Sequence, residues 1–324
     1  SSLYVGYKQD VNSKSTLNSG IRFTNTNLNA VWIDETFIHL SDNDISANNS
    51  AITATLGYVY KPNKNWQLNS VLSSGFRSPN IDDVGRVREK IGDVTVPNIH
   101  VKPEFAYNAE VGIQKYFNDR KFRLSANVFY TLLDNYIIRD RFTINGSDQV
   151  LFDGEYGNAV ANQNRGNAFI TGYTISYLGK LSNAWNTSGF ITYTKGRTYD
   201  SEEPMSSIPP LFGQFEVNYK SDKIEVGAAL RFNSKKDIED FNFTEGIDNH
   251  DLTPIVDANA ANNEDIYFGT PSWMTIGING RYLVTENFSV QARLDNLFDE
   301  HYIEFASGIS SPGRNLSVSF VANF

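Results

Sequence analysis

Towards the end of the chain, apolar residues occupy every second position: Leu316, Val318, Phe320, Ala322 and Phe324. Between them stand Asn315, Ser317, Ser319, Val321 and Asn323. Alternate side chains of a strand point to opposite faces, so the spacing predicts a strand with one apolar and one mostly polar face. The same alternation recurs upstream. Phe122, Leu124, Ala126, Val128, Tyr130 and Leu132 oppose Arg123, Ser125, Asn127 and Thr131. Ile224, Val226, Ala228, Leu230 and Phe232 oppose Lys223, Glu225, Gly227 and Arg231.

Reading the whole chain this way predicts six strand pairs joined by short turns. They cover residues 3–10 and 15–25, 51–61 and 66–77, 105–117 and 121–139, 168–180 and 185–198, 211–221 and 223–234, and 273–283 and 288–297. Residues 314–324 supply a final strand. Residues 30–40 carry enough apolar character to form one more. The connections alternate strictly. Short turns such as Pro62-Asn63-Lys64, where Pro fixes φ and Asn accepts a positive one, are followed by long polar loops at 26–49, 78–103, 140–167, 199–210, 235–271 and 298–312.

An apolar face on one side and a charged face on the other require two media. A barrel with lipid outside and water inside supplies both, with short turns on one rim and long loops on the other. Tyr60, Trp66, Tyr116, Phe117, Phe122, Trp185, Tyr219, Tyr282 and Phe288 lie beside the short turns, as an interfacial aromatic band does. A strand that closes such a barrel also ends on an aromatic, as here at Phe324. A soluble sandwich or propeller has alternating strands too, but demands neither the two kinds of connection nor the band.

Composition narrows the picture further. The 324 residues include no Cys, which excludes a disulfide scaffold and thiolate metal sites. No run reaches the roughly 18 apolar residues of a membrane helix. No charged and apolar leader opens the sequence. The net charge of −9 argues against nucleic acid and against anionic lipid as partners.

Two groups of residues then point to a family. The first is Gly75-Phe76-Arg77-Ser78-Pro79-Asn80, followed by Val96-Pro97-Asn98 and by Lys102-Pro103-Glu104 before a strand with Asn108, Glu110 and Gly112. The second is Leu294-Asp295-Asn296-Leu297-Phe298-Asp299, then Tyr302, then Pro312-Gly313-Arg314 and the last strand. Together they resemble the TonB-dependent outer-membrane receptors over nearly the whole chain. The resemblance implies an all-β fold, an antiparallel transmembrane β-barrel of about 22 strands filled by a plug. Residues 1–324 would be the C-terminal portion of that one barrel domain, with thirteen or fourteen strands and neither plug nor signal peptide. It implies a place in the bacterial outer membrane, in contact with its lipid. It also implies active uptake of a small scarce solute such as an iron chelate or siderophore, with energy relayed by a TonB-type protein. Haem receptors of the family place a His between the two boxes. The interval 80–96 here has none, and His100 falls just after the second box.

Strand counting gives thirteen, with the first and last strands running the same way. Bacterial barrels are antiparallel and even-numbered, so closure of these strands alone is disfavoured. Residues 30–40, as a fourteenth strand, would instead permit a closed passive porin, the alternative reading.

Candidate chemistry is sparse. The His residues are 39, 100, 250 and 301, and no Gly-x-Ser-x-Gly turn is present, so no enzyme is expected. Within Asp248-Asn249-His250-Asp251 a carboxylate could orient the imidazole, but an exposed loop is the plainer reading. The acidic stretch 235–271 fits no calcium-loop spacing and reads as a segment solvated by like charge. No resident metal or cofactor is expected. Arg77, Arg86, Arg88 and Lys90 form a basic island in an acidic chain, with Asp82, Asp83, Glu89 and Asp93 close by. Guanidinium groups clamp carboxylate or catecholate oxygens in two-point fashion. The expected ligand-contacting residues are therefore Arg77, Arg86, Arg88 and His100, with Tyr199 from another long loop.

Overall fold

A computed structural model describes residues 1–33, 38, 44–90, 92–243, 245 and 247–324. It is organised by one antiparallel sheet of thirteen strands. In spatial order these are β1 (Ser2–Asn12), β2 (Ser15–Val31), β3 (Asp44–Asn63), β4 (Trp66–Arg77), β7 (Glu104–Phe117), β8 (Phe122–Asp134), β12 (Ala168–Lys180), β13 (Trp185–Thr198), β14 (Phe212–Lys220), β15 (Ile224–Asn233), β16 (Trp273–Thr285), β17 (Phe288–Asp295) and β18 (Asn315–Ala322). Every barrel neighbour is the next barrel strand in sequence. β1 pairs β2 on one side and β18 pairs β17 on one side, so the described sheet has two free edges. Ala30 and Val31 finish β2 and pair with Ile45 and Asp44. Residues 34–37 and 39–40 of the expected fourteenth strand lie outside the described residues, as does His39.

Register sorts the two faces. Val111, Val128, Tyr173 and Tyr193 form one cross-strand row, and Val111, Val128 and Tyr193 are exposed although apolar or aromatic. One residue further along, the row reads Asn69, Gly112, Asn127, Thr174, Thr192, entirely without large apolar groups. Thr174 and Thr192 share a hydrogen bond of 3.0 Å. A one-residue slip would exchange the two faces, so this alternation holds the register. Leu124, Val226, Val318 and Phe320 lie exposed on the apolar face. Such an area of exposed apolar surface calls for lipid rather than water.

Glycines let aromatic rings lie flat on the outer face. Tyr177 and Phe215 flank Gly189 in register. Their rings stack at 6.2 Å across it, continuing a ladder that runs from Phe117 through Phe122 to Tyr177 and on to Phe232.

The long loops are not structureless. They build a second, five-stranded sheet from β5 (Arg88–Lys90), β6 (Asp93–Thr95), β9 (Ile137–Arg141), β10 (Gln149–Phe152) and β11 (Glu155–Asn164). The expected strand 121–139 is therefore two strands. Asn135, at φ 56°, turns the chain out of the barrel after Asp134, and Ile137 and Ile138 are buried in the loop layer. β10 and β11 form a hairpin over Asp153-Gly154, both at positive φ (49° and 89°), the conformation that Asp-Gly favours. Val94, Val96, Val150, Ala159 and Ala161 form its core.

Candidate ligand-binding surface

The box after β4 is a loop anchor. Ile81–Gly85 (α1) is capped reciprocally: the Asn80 side chain accepts from the Asp83 N–H, and the Asp83 carboxylate accepts from the Asn80 N–H. The second Asp83 oxygen takes Arg77, at the end of β4, in an ion pair. Arg77 thus fixes α1 to the barrel rim. Asn98 of the Val-Pro-Asn box donates to the Asn162 carbonyl (2.8 Å), and Asn162 donates to the Asp83 carbonyl (3.0 Å). Asn164 donates to the Lys102 carbonyl (3.0 Å) and accepts from the Lys102 N–H (2.7 Å). These amides stitch the 78–103 and 135–167 loops into one layer.

On that layer the basic island divides. Arg86 pairs with Asp82 at 3.2 Å, in an exposed contact of modest strength. Arg88 is exposed on β5 and forms no ion pair among the described residues. Arg139 on β9 joins them, which sequence reasoning missed because the residue was read as the end of a barrel strand. Its Nε is buried without a partner. Burial first, and the neighbouring Arg86 next, hold its pKa below the usual arginine value; Glu245 acts the other way, and Arg88 adds a smaller lowering. A half-buried guanidinium with no partner at its Nε and two further guanidiniums close by forms a place where an anion is stabilised.

The other expected residues lie elsewhere. His100 is exposed in a turn closed by its own N–H donating to Asn98 Oδ1 (3.1 Å). The Tyr199 ring packs 5.4 Å from Phe169, and its hydroxyl bonds that of Tyr130, an outer-face residue. The structure therefore gathers Arg86, Arg88 and Arg139, gives Arg77 to the α1 anchor, and leaves Tyr199 in an aromatic cluster.

The 235–271 loop differs from a solvated acidic segment. Lys236 and Asp248 are a buried ion pair. Lys236 also donates to the Ile208 carbonyl (2.7 Å) and sits over the rings of Phe241 and Phe305. Asp248 accepts from the Ser207 N–H (2.8 Å). Asp240 takes Arg197 at 2.7 Å. Asp248 and Asp240 hold the loop down, because each is matched to a cation or a backbone donor rather than to water alone. His250 is wedged between Phe243 (4.5 Å) and Tyr267 (5.7 Å). Beside this loop a cavity of about 120 Å³ opens between Thr253, Trp273, His301 and Ser307. Over the inner wall, the Tyr302 ring packs against Trp273 at 4.3 Å, tilted by 34°, while Glu304 pairs with Arg231 at 3.1 Å.

A wide antiparallel wall, apolar outside and polar inside, with its long connections folded into a layer over one rim, defines an outer-membrane β-barrel. The family model "TonB dependent receptor-like, beta-barrel" matches residues 1–297, and the chain belongs to that family. Among curated relatives, the haemoglobin and haemoglobin-haptoglobin-binding protein A of Haemophilus influenzae is 26% identical over 273 residues, covering 81% of this chain and 24% of that protein. Haemoglobin-binding protein A of the same organism is 24% identical over 325 residues, covering 86% of this chain and 29% of its own length. The chain thus spans about a quarter of the length of these relatives. Solved structures that share the fold include a copper transporter and a siderophore receptor. The copper transporter OprC has a TM-score of 0.77 at 16% identity, covering all of this chain and 47% of that one. The siderophore receptor PirA of Acinetobacter baumannii has a TM-score of 0.73 at 18% identity, covering all of this chain and 45% of that one.

Proposed function

We propose that this chain forms part of the wall and outer loops of a bacterial outer-membrane receptor that takes up a scarce solute by TonB-energised transport. The family match over residues 1–297 carries the reading. The free edges at β1 and β18 support it over the passive porin, because the described strands do not close on themselves. In lipid each unpaired backbone group costs several kcal/mol, so both edges require further strands. On this reading the inner wall faces water and the loop layer faces outward.

The ligand surface is the Arg86, Arg88 and Arg139 face, and the ligand class is an anion or an anionic metal chelate. The haemoglobin-binding relatives make haem iron a source to test, although no His lies between the two sequence boxes. No catalytic step enters the proposal. The test is growth of a strain lacking the full-length receptor on a panel of single iron sources, including haemoglobin and ferric catecholates, with and without TonB. Receptor- and TonB-dependent growth on one source is expected, and its loss when Arg86, Arg88 and Arg139 are all replaced by Ala. Uptake independent of TonB would overturn the reading.

A further inference from the structure

The net charge conceals a separation between the two rims. Acid collects in the long loops, above all in 235–271 and 199–210. Base collects at the short turns. Lys14 stands in the first turn, Lys61 and Lys64 in the second. Lys115, Arg120 and Lys121 surround the third, Lys180 begins the fourth, and Lys220 and Lys223 flank the fifth. Against these nine cations the same turns and strand ends offer five acids, Asp10, Asp119, Asp222, Glu225 and Glu286. Only Lys220 is paired, with Glu225; none of the other eight forms an ion pair among the described residues.

Backbone geometry sets the residues that carry these cations side by side along the rim. The Lys61 N–H donates to the Lys14 carbonyl (2.7 Å), and the Lys180 N–H to the Lys121 carbonyl (2.7 Å). The Arg120 guanidinium donates to the Lys64 carbonyl (2.9 Å). Like charges on adjacent strands repel, so the arrangement raises the energy of the isolated chain. An anion from outside the chain removes that cost.

The aromatic band says which anion. Trp66, Tyr116 and Phe117 lie immediately beside the turns, and Lys115 places its ammonium 4.6 Å from the Trp66 ring centre and 4.9 Å from that of Phe117. Arg120 lies 3.8 Å over Tyr116. Such rings sit at headgroup level in a bilayer, and cations on long stems beside them reach the phosphates. We propose that the short-turn rim is a continuous docking surface for anionic phospholipid headgroups of the leaflet it faces. The expectation from net charge, which counted against anionic lipid, averaged over two rims of opposite sign. The inference rests on the membrane-barrel reading above.

The test uses the full-length receptor reconstituted in phosphatidylcholine vesicles with tracer spin-labelled phosphatidylglycerol or phosphatidylcholine. The relative association of each lipid with the barrel surface is read from the motionally restricted component of the spectrum. Phosphatidylglycerol should be favoured by about twofold or more at low salt, with the preference vanishing in 1 M salt as surface charge is screened. It should also fall to about unity in the K61Q/K64Q/K115Q/R120Q variant. Equal association of both lipids with the unaltered receptor would overturn the proposal. So would a preference that survives in the variant, which would leave the ring to an acidic protein. Failure of the unaltered receptor to enter vesicles at all would instead contradict the barrel reading itself.

Discussion

Lys236 and Asp248 meet at 3.4 Å with side chains only 4% and 0% exposed, which makes them the buried ion pair that pins the longest loop. The pair is supported on all sides by the Ile208 carbonyl, the Ser207 N–H and the rings of Phe241 and Phe305. Replacing Lys236 by Met leaves a carboxylate buried without a counter-charge, a loss of about 3–5 kcal/mol in loop docking. Hydrogen exchange across residues 238–266 should accelerate strongly while the barrel strands keep their protection. The K236M/D248L double variant should recover much of the loss, since an apolar pair of similar volume leaves no stranded charge.

His250 makes the same loop sensitive to pH. Burial among Phe243 and Tyr267 is the main cause that holds its pKa below the ordinary 6.5, outweighing Asp251 and Asp248, and its Nδ1 has no partner. A histidine with a depressed folded pKa favours the neutral ring. Its contribution to docking is therefore complete above about pH 6.5 and is lost as pH falls from there through the folded value. Protection of the 238–266 segment, read as the exchange rate relative to the intrinsic rate at the same pH, should be lower at pH 5.5 than at pH 7.5, and His250→Phe should flatten that dependence. An unchanged pH profile in His250→Phe would show that another group titrates.

Gly189 tests the outer-face ladder. A Cβ there would lie 2.7 Å from Tyr177 Cε1, closer still to the Phe215 ring, and 3.0 Å from the Gln214 carbonyl oxygen. Gly189→Val should cost about 1–3 kcal/mol by forcing both rings off the strand. Urea titration of the barrel refolded into vesicles measures it, with Gly6→Val as the control because no atom lies near its Cβ position.

The barrel strands were legible because period-2 alternation is written into residues such as Leu124, Val128 and Leu230 and holds over eight or more positions. The loop sheet was not, since β5 and β6 are three residues each and show no period. β9 was hidden by Ile137 and Ile138, which prolong an apolar strand pattern past the bend at Asn135. Asp153-Gly154 was the available signal for the β10–β11 hairpin and was read only as part of a polar loop. The basic island was visible as composition, but its division was not. Whether Arg77 meets a ligand or Asp83 depends on a capping box three residues beyond the strand, and Arg139 reaches the cluster only through a fold of the loop. Lys236 and Asp248 looked solvated because sequence shows charge without showing burial.

The two faces of the thirteen-stranded sheet meet different solvents, and nitroxide labels test this directly. Labels replace Val128, Leu230 and Val318 on the apolar face, and Asn127, Arg231 and Ser317, their sequence neighbours, on the polar face. In the full-length receptor in vesicles, the first set should collide with oxygen dissolved in lipid and the second with a water-soluble nickel chelate. Leu230→Arg should accordingly destabilise by about 2–4 kcal/mol near mid-membrane depth. If both sets reported the same medium, the sheet would not be a membrane wall and the receptor reading would fall with it.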